Sequence, residues 1–300
     1  MIKIAWAPIY VHPLPEKHRF PMEKYELLPM QLKHEGTFEE SNFFAPAAVD
    51  EADILAVHDE IYWQRLSNLE LNRQEQLRSG FPHSKELIER ELIITGGSIQ
   101  AAKFALEHGV AFNVAGGTHH AYANRAEGFC LLNDIAISSS YLLRNKLAEK
   151  ILVIDLDVHQ GNGTAKIFEN ESRVFTFSMH GDHNYPLKKE KSDLDVPLPD
   201  QTKDEAYLKK LKQYIPNLIE AQKPDFIFYQ SGVDILETDK LGRMGVSIEG
   251  CKERDRLVLQ AAYDRKIPLM ACMGGGYSPD IKHIVEAHAN TYRLAKEIWA

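Results

Sequence analysis

Short apolar runs alternate along this chain with longer stretches of helical periodicity. The apolar runs predict six β-strands, at residues 2–7, 111–115, 151–155, 174–178, 226–230 and 268–272. Most of these runs are continuously apolar, which is typical of strands that are covered on both faces. The longer stretches predict helices near residues 46–58, 59–69, 84–108, 131–147, 204–222, 249–265 and 279–299. This order predicts an α/β fold with a mostly parallel central sheet and helices on both faces.

Two segments interrupt the alternation. Residues 8–29 are rich in Pro and His, and residues 181–199 are charged and flanked by proline. Irregular segments of this length are usually functional or disordered, so both are expected to be loops. The chain shows no internal repeat or linker, and its 300 residues are 44% hydrophobic. We therefore expect one domain spanning residues 1–300.

Charge and cysteine content restrict the function classes. The net charge of -8 and the isoelectric point near 5.9 argue against a nucleic-acid-binding protein. No apolar run approaches the 18 residues of a membrane span, and the N-terminus has no charged leader, so we expect a soluble, unprocessed chain without a membrane partner. The three cysteines, Cys130, Cys251 and Cys272, are widely spaced and favour a reducing cytoplasm.

Polar clusters follow four of the predicted strands. Asp155, Asp157 and His159 alternate at the end of the strand at 151–155, where two carboxylates beside an imidazole suggest a metal site. Taken alone, this pattern fits a capped strand end equally well. The other three clusters supply Gly116, Gly117, His119, His120, Gly128 and Phe129, then Asp234, and then Gly274, Gly275, Gly276 and Tyr277. Four such clusters at one sheet edge favour a shared site.

Five motifs together carry a family resemblance. They are G-G-T-H-H at 116–120, G-F-C-L-L-N-D at 128–134, D-L-D-V-H-Q-G-N-G at 155–163, S-G-V-D at 231–234 and G-G-G-Y at 274–277. In this order they resemble the zinc-dependent histone deacetylase superfamily, which has the arginase/deacetylase fold. The early loop H-R-F-P-M-E-K-Y at 18–25 is similar to that of bacterial, class IV-like members.

The resemblance implies a metal centre and a set of catalytic residues. Asp157, His159 and Asp234 would be the metal ligands, a set that suits Zn²⁺ and also accepts Fe²⁺ or Co²⁺. The tandem histidines would be paired with acceptors, His119 with Asp155 and His120 with Asn162.

These pairs lead to a prediction about charge, because only a carboxylate stabilises an imidazolium. We expect His120 to stay neutral at pH 7 and to act as the general base, while His119 is biased towards its charged form. Tyr277 would donate a hydrogen bond to the oxyanion, although an aromatic residue after three glycines is also common in plain packing.

The remaining site residues also come from the resemblance. Gly128, Phe129, Tyr185 and Gly275 would line a narrow substrate channel, and Arg19 would line an internal channel behind the metal, where it would hold departing acetate. A structural K⁺ or Na⁺ would bind the backbone oxygens of Asp155, Asp157, His159 and Met179 and the hydroxyl of Ser178. The loop aspartate that grips the substrate backbone in many histone deacetylases has no clear counterpart in residues 78–84, which makes a histone peptide a doubtful substrate.

The function expected from these residues is removal of an acyl group from an acylated lysine or another small acylated amine. Acetylpolyamine hydrolysis and long-chain deacylation use the same chemistry and stay open. A binuclear manganese ureohydrolase needs further bridging carboxylates, but Gly161 and Leu236 stand where we would expect them. A non-catalytic acyl-binding module is the alternative of another class, although this chain keeps every predicted ligand and Tyr277. Oligomeric state is not indicated by the sequence.

Overall fold

The central feature of the fold is an eight-stranded, all-parallel sheet. The computed structural model describes residues 1–299. The strands are β1 (Lys3–Ala5), β2 (Phe43–Phe44), β3 (Val110–Asn113), β4 (Ile151–Asp155), β5 (Val174–Gly181), β6 (Leu194–Leu198), β7 (Phe226–Gln230) and β8 (Leu269–Cys272). They lie in the order β2-β1-β3-β8-β7-β4-β5-β6. The predicted α/β fold with a parallel sheet is confirmed.

The helices cover both faces of the sheet. They are α1 (Lys24–His34), α2 (Glu51–Leu55), α3 (Glu60–Ser67), α4 (Arg73–Ser79), α5 (Lys85–His108), α6 (Asp134–Arg144), α7 (Asn162–Phe168), α8 (Asp204–Gln222), α9 (Ile248–Asp264) and α10 (Ile281–Trp299). Two short 3-10 helices lie at Pro8–Tyr10 and Glu40–Asn42. Two clusters of buried apolar side chains separate the helices from the sheet. Among residues 1–299, no helix is both long enough and apolar enough to cross a membrane.

Local sequence explains where the principal elements begin and end. All five residues of β4 are buried, because neighbouring strands pair on both sides and helices cover both faces. The Ser84 hydroxyl accepts the Leu87 amide at 3.1 Å and begins α5, which ends at Gly109 with φ of +86°. Asn72 and Glu75 form a capping box at the start of α4, and Gly80 ends that helix.

The predicted loops at 8–29 and 181–199 are partly wrong. The first contains the beginning of α1, and Pro29 inside that helix obscured it in the sequence. The second contains the last residue of β5 and all of β6. Pro197 is tolerated in β6 because that strand is at the edge of the sheet.

Candidate active site

The candidate active site lies at the carboxyl end of the sheet, beyond four adjacent strands. Strands β3, β8, β7 and β4 are neighbours in the sheet, so the segments that follow them, beginning near residues 114, 273, 231 and 156, meet at one edge. Buried Arg254 on α9 fixes one of these segments, since its guanidinium donates to the carbonyls of Ser231, at 3.1 Å, and Gly232. Nothing in the sequence pattern indicated this positioning role.

Asp157, His159 and Asp234 converge on one point. All three are buried, and their ligand atoms lie within 4.8 Å of one another. His159 Nδ1 lies 3.0 Å from Asp157 Oδ1 and 3.0 Å from Asp234 Oδ2. Backbone amides orient the carboxylates: Val158 donates to Asp234 Oδ1 and Gly275 donates to Asp157 Oδ2, both at 2.8 Å. In residues 1–299 this is the group whose geometry suits a metal ion.

The donor set fits a divalent cation. Burial and the neighbouring Asp157 carboxylate raise the pKa of Asp234 to about 7, because two buried negative charges repel each other. A dication held between the carboxylates would offset that repulsion. With one imidazole and two carboxylates as ligands, a coordination position stays open for a substrate atom, as is typical of catalytic zinc sites. The close approach of the two carboxylates requires glycine at position 275, since a Cβ there would lie 1.9 Å from Asp234 Oδ2.

The two tandem histidines each have the predicted partner. His119 Nδ1 lies 2.6 Å from Asp155 Oδ2, and His120 Nδ1 lies 2.6 Å from Asn162 Oδ1. Burial opposes charge on His119, but the carboxylates of Asp155 and Asp157 outweigh it and raise the pKa of His119 to about 9. Burial, together with the positive charges of His119 and His159, holds the pKa of His120 well below its usual value. Both directions agree with the sequence prediction.

The hydrogen bonds also define the tautomer of His120. The Asn162 amide nitrogen donates to Glu127 Oε1 at 2.9 Å and to the Tyr122 hydroxyl at 3.0 Å. Asn162 therefore presents its carbonyl oxygen to His120, and that oxygen can only accept. His120 Nδ1 must carry the proton, which leaves Nε2 with its lone pair available.

Tyr277 lies beside the metal ligands. Its ring centroid is 6.3 Å from that of His159, and its backbone amide donates to Asp239 Oδ2 at 2.6 Å. Burial and the carboxylates of Asp234 and Asp157 raise the pKa of the phenol well above its usual value. The hydroxyl therefore stays protonated and able to donate across the physiological pH range. Asp239, which the sequence analysis missed, also accepts the amides of Leu241 and Gly242, each at 2.8 Å.

Three of the four predicted channel residues line one cavity of about 410 Å³. Gly128, Phe129, Tyr185 and Tyr277 all contribute to its walls. The Tyr185 ring lies at 89° to the His120 ring, with centroids 5.1 Å apart. Gly275 does not line this cavity and instead contributes to a smaller one of about 40 Å³, which shares His120, His159 and Tyr277 with the larger cavity. The structure thus brings Tyr185 next to the candidate base.

The predicted position of Arg19 is wrong. Arg19 is exposed at the outer cavity, and its guanidinium carbon lies 5.2 Å above the centroid of the Phe129 ring. The next residue, Phe20, packs inward against Phe81 and Phe129, with centroids 5.2 Å away in each case, so Arg19 points outward. It cannot line a channel behind the metal site.

Lys24 is a buried cation near the metal ligands that the sequence analysis missed. It is 0% exposed, and its Nζ donates to the Gly274 carbonyl at 3.0 Å. Burial lowers the pKa of Lys24 to about 8, although the carboxylates of Asp234 and Asp157 favour the charged form. Lys24 is the first residue of α1, and nothing in the sequence pattern separates it from an exposed lysine at a helix start.

Glu127 is another residue that the sequence analysis missed. Its Oε1 accepts from the Tyr185 hydroxyl at 2.6 Å as well as from Asn162, and its Oε2 accepts from Arg125 at 3.2 Å. It is 8% exposed. Glu127 therefore links one wall of the cavity to the partner of His120.

The residues predicted for a monovalent cation lie close together in the sheet. Ser178 on β5 is in register with Asp155 on β4, and both residues are buried together with Met179. The Ser178 hydroxyl lies 2.9 Å from His180 Nδ1. Binding of K⁺ or Na⁺ by Ser178, Met179 and the carbonyls of Asp155, Asp157 and His159 stays a prediction.

Comparisons with known proteins agree with this architecture. The model of the histone deacetylase domain matches residues 18–292. An uncharacterized protein of Picosynechococcus sp. is 40% identical over 296 residues, which is 99% of each chain. Histone deacetylase 2 of Arabidopsis thaliana is 30% identical over 277 residues, or 89% of this chain and 72% of the plant protein.

Solved structures show the same fold. An HDAC homolog from Aquifex aeolicus has a TM-score of 0.84 at 24% identity and covers 98% of this chain and 84% of its own. An HDAC homolog complexed with SAHA has a TM-score of 0.82, also at 24% identity, over 99% and 88% of the two chains.

The fold and the site together define an arginase/deacetylase-type α/β protein with a buried Asp-His-Asp metal site. Within that class, this chain belongs to the histone deacetylase family.

Proposed function

We propose that this protein is a metal-dependent amidohydrolase that removes an acyl group from an N-ε-acyl-lysine. The observation that carries the proposal is the convergence of three groups on connected cavities: the metal ligands, a neutral imidazole and a protonated phenol. A site that only binds acyl ligands has no need for both a base and an oxyanion donor beside a metal site.

The residues divide the chemistry among them. Asp157, His159 and Asp234 would hold a zinc ion, which supplies Lewis acidity for the acyl carbonyl and for water. His120 accepts the proton of the attacking water at Nε2, because Nδ1 already donates to Asn162. The leaving amine then takes a proton from the imidazole. Asp155 keeps charge on His119 and so opposes the build-up of charge on His120 before the reaction.

Tyr277 and the cavity walls orient the substrate. The phenol donates to the carbonyl oxygen as negative charge develops on it, and such a donor is typically worth about 10²- to 10³-fold in rate. Phe129 and Tyr185 contact the methylenes of the lysine side chain and exclude water from it. Lys24, rather than the exposed Arg19, would attract the carboxylate product, because Lys24 is buried and close enough to Asp234 and Asp157 for their charges to act on it.

The proposal also covers the cellular compartment, the subgroup, the domain organisation and the metal. The three cysteines are free and buried, which suits a reducing cytoplasm. The similarity of the loop at residues 18–25 supports a bacterial, class IV-like subgroup, and the single sheet supports one catalytic domain over residues 1–300. Zinc is the proposed metal, with Fe²⁺ or Co²⁺ as alternatives for the same ligands.

A turnover panel on zinc-loaded protein tests the proposal. The panel contains acetyl-lysine, trifluoroacetyl-lysine and long-chain acyl-lysine peptides, with His120→Ala protein as the blank. We expect hydrolysis of at least one peptide that disappears in the blank. Failure of every peptide in protein that holds its metal would favour the non-catalytic binding module instead.

A further inference from the structure

Two unpaired guanidinium groups stand at the mouth of the substrate cavity. Arg19 and Arg78 are the side chains of fixed charge that line it, and none of its lining residues is Asp or Glu. Nine arginines form ion pairs within residues 1–299, whereas Arg19, Arg73, Arg78 and Arg265 form none, and of these four only Arg19 and Arg78 line the cavity. Both are exposed. The mouth is therefore positively charged although the chain as a whole has a net charge of -8.

The backbone that carries each arginine is tied to the cavity wall. His18, directly before Arg19, has its Nε2 2.9 Å from the Gly80 carbonyl. The Arg78 carbonyl accepts the Gly128 amide at 3.0 Å, and the next carbonyl accepts the Phe129 amide at 2.7 Å. The two guanidinium groups thus extend from fixed backbone on the side of the cavity formed by Phe129.

The position of this charge corresponds to one part of the proposed substrate. With the acyl group at the metal ligands and the side chain between Phe129 and Tyr185, the Cα end of the lysine reaches the mouth. A cation there would meet two positive charges and no carboxylate among the lining residues, whereas a carboxylate would gain charge-assisted hydrogen bonds from either guanidinium. Leu77 and Leu241, which also line the cavity, offer no polar alternative.

We propose that the substrate is an N-ε-acyl-lysine whose Cα end carries carboxylate charge, and that Arg19 and Arg78 recognise that charge. This inference rests on the proposed deacylase function. It disfavours acetylated polyamines, because their free end is a cation. The carboxylate has two sources, acidic residues beside the lysine in a peptide or the free α-carboxylate of a single acylated lysine.

Matched substrates separate these cases. In the peptide arm, kcat/KM is measured for acetyl-lysine flanked by two Glu, two Ser or two Lys. In the amino-acid arm, Nε-acetyl-lysine blocked at the amine is compared as the free acid and as the carboxamide. N-acetylputrescine is the polyamine probe. All are measured at low and high salt with wild-type protein, with R19Q/R78Q, and with Arg73→Gln as the matched control, since Arg73 is an exposed arginine on α4 that does not line the cavity.

In at least one arm, we expect kcat/KM for the anionic substrate to exceed that of its neutral counterpart. The ratio should be roughly fivefold for each arginine that the substrate contacts, as for an exposed ion pair. The preference should shrink at high salt, disappear in R19Q/R78Q and persist in Arg73→Gln. A preference in the peptide arm alone assigns the charge to flanking residues, and one in the amino-acid arm alone assigns it to the α-carboxylate.

Two outcomes would overturn the inference in distinguishable ways. The inference is overturned if kcat/KM is equal for the Glu, Ser and Lys peptides and also equal for the free acid and the carboxamide. It is likewise overturned if the preference for the anionic substrate survives in R19Q/R78Q. Either result leaves the deacylase function standing. Absence of turnover of every substrate, including the neutral Ser peptide, overturns the proposed function and this inference with it.

Discussion

Replacement of Gly275 by alanine should disable the metal site while leaving every predicted ligand in the sequence. A Cβ at this position would lie 1.9 Å from Asp234 Oδ2 and 2.7 Å from Asp157 Oδ2. Real Cβ atoms essentially never approach within 3.0 Å of such atoms, so the Asp234 oxygen must withdraw by about 1.1 Å. Both carboxylates are displaced from the point at which they meet His159.

The size of the effect follows from this displacement. Changes that merely reorient metal ligands typically cost about 10- to 100-fold in metal affinity. Gly275→Ala moves two ligands, so we expect a loss of about 100-fold or more in zinc affinity. Zinc at about 100 times its dissociation constant stabilises a protein by roughly 2.7 kcal/mol, which corresponds to a Tm increase of about 4 °C in a chain of this size. That increase should be lost in the variant.

The assay is a zinc titration monitored by calorimetry, together with Tm measured with and without zinc. Gly245→Ala is the matched control, because the nearest atom to its added Cβ is 3.3 Å away and the site is not involved. Comparing each variant with and without zinc removes any general effect of the substitution on packing. Wild-type zinc affinity in Gly275→Ala would refute the assignment of Asp157 and Asp234 as ligands.

Four further substitutions test residues of the candidate site. Tyr277→Phe should lower kcat by about 10²- to 10³-fold with little change in KM, and a kcat near that of the wild type would remove Tyr277 from the mechanism. Asn162→Asp places a carboxylate beside His120 and raises the pKa of the imidazole. Because the base must be neutral, the acidic limb of the pH-rate profile should move to higher pH. An unchanged acidic limb would contradict this reasoning. Glu127→Gln removes the charge that orients Asn162 and should lower kcat roughly tenfold. Tyr185→Phe should mainly raise KM, because it removes the hydrogen bond between Tyr185 and Glu127 in the cavity wall. Identical kinetics for the two variants would show that Glu127 acts only through Tyr185.

The sequence predicted the sheet well where a strand is central. Residues 151–155 and 226–230 form β4 and β7 with the expected bounds, because central parallel strands must be apolar on both faces. The edge strand β6 was missed, since its exposed positions and Pro197 make it read as a loop. Helix α4 was missed for a related reason: its sequence, R-Q-E-Q-L-R-S, has no apolar face.

The candidate site was predictable to the extent that strand ends define it. Asp157 follows a strand directly, and Asp234 follows another within a few residues, so parallel pairing brings them to one edge. Arg19 and Lys24 are separated by only a few residues in an irregular segment, where no periodicity tells which side chain points inward. Glu127 was not recognisable because its role depends on Asn162 and Tyr185, which reach it from distant parts of the chain.

The most direct test of the central claim is metal content and acetate release measured on the same three samples: wild type, Asp234→Asn and His120→Ala. We expect one metal ion per chain in wild type and in His120→Ala, little or none in Asp234→Asn, and acetate release from an acetyl-lysine peptide in wild type alone. This pattern would separate the residues that hold the metal from the residue that moves the proton. Full metal content in Asp234→Asn, or undiminished acetate release in His120→Ala, would contradict the account.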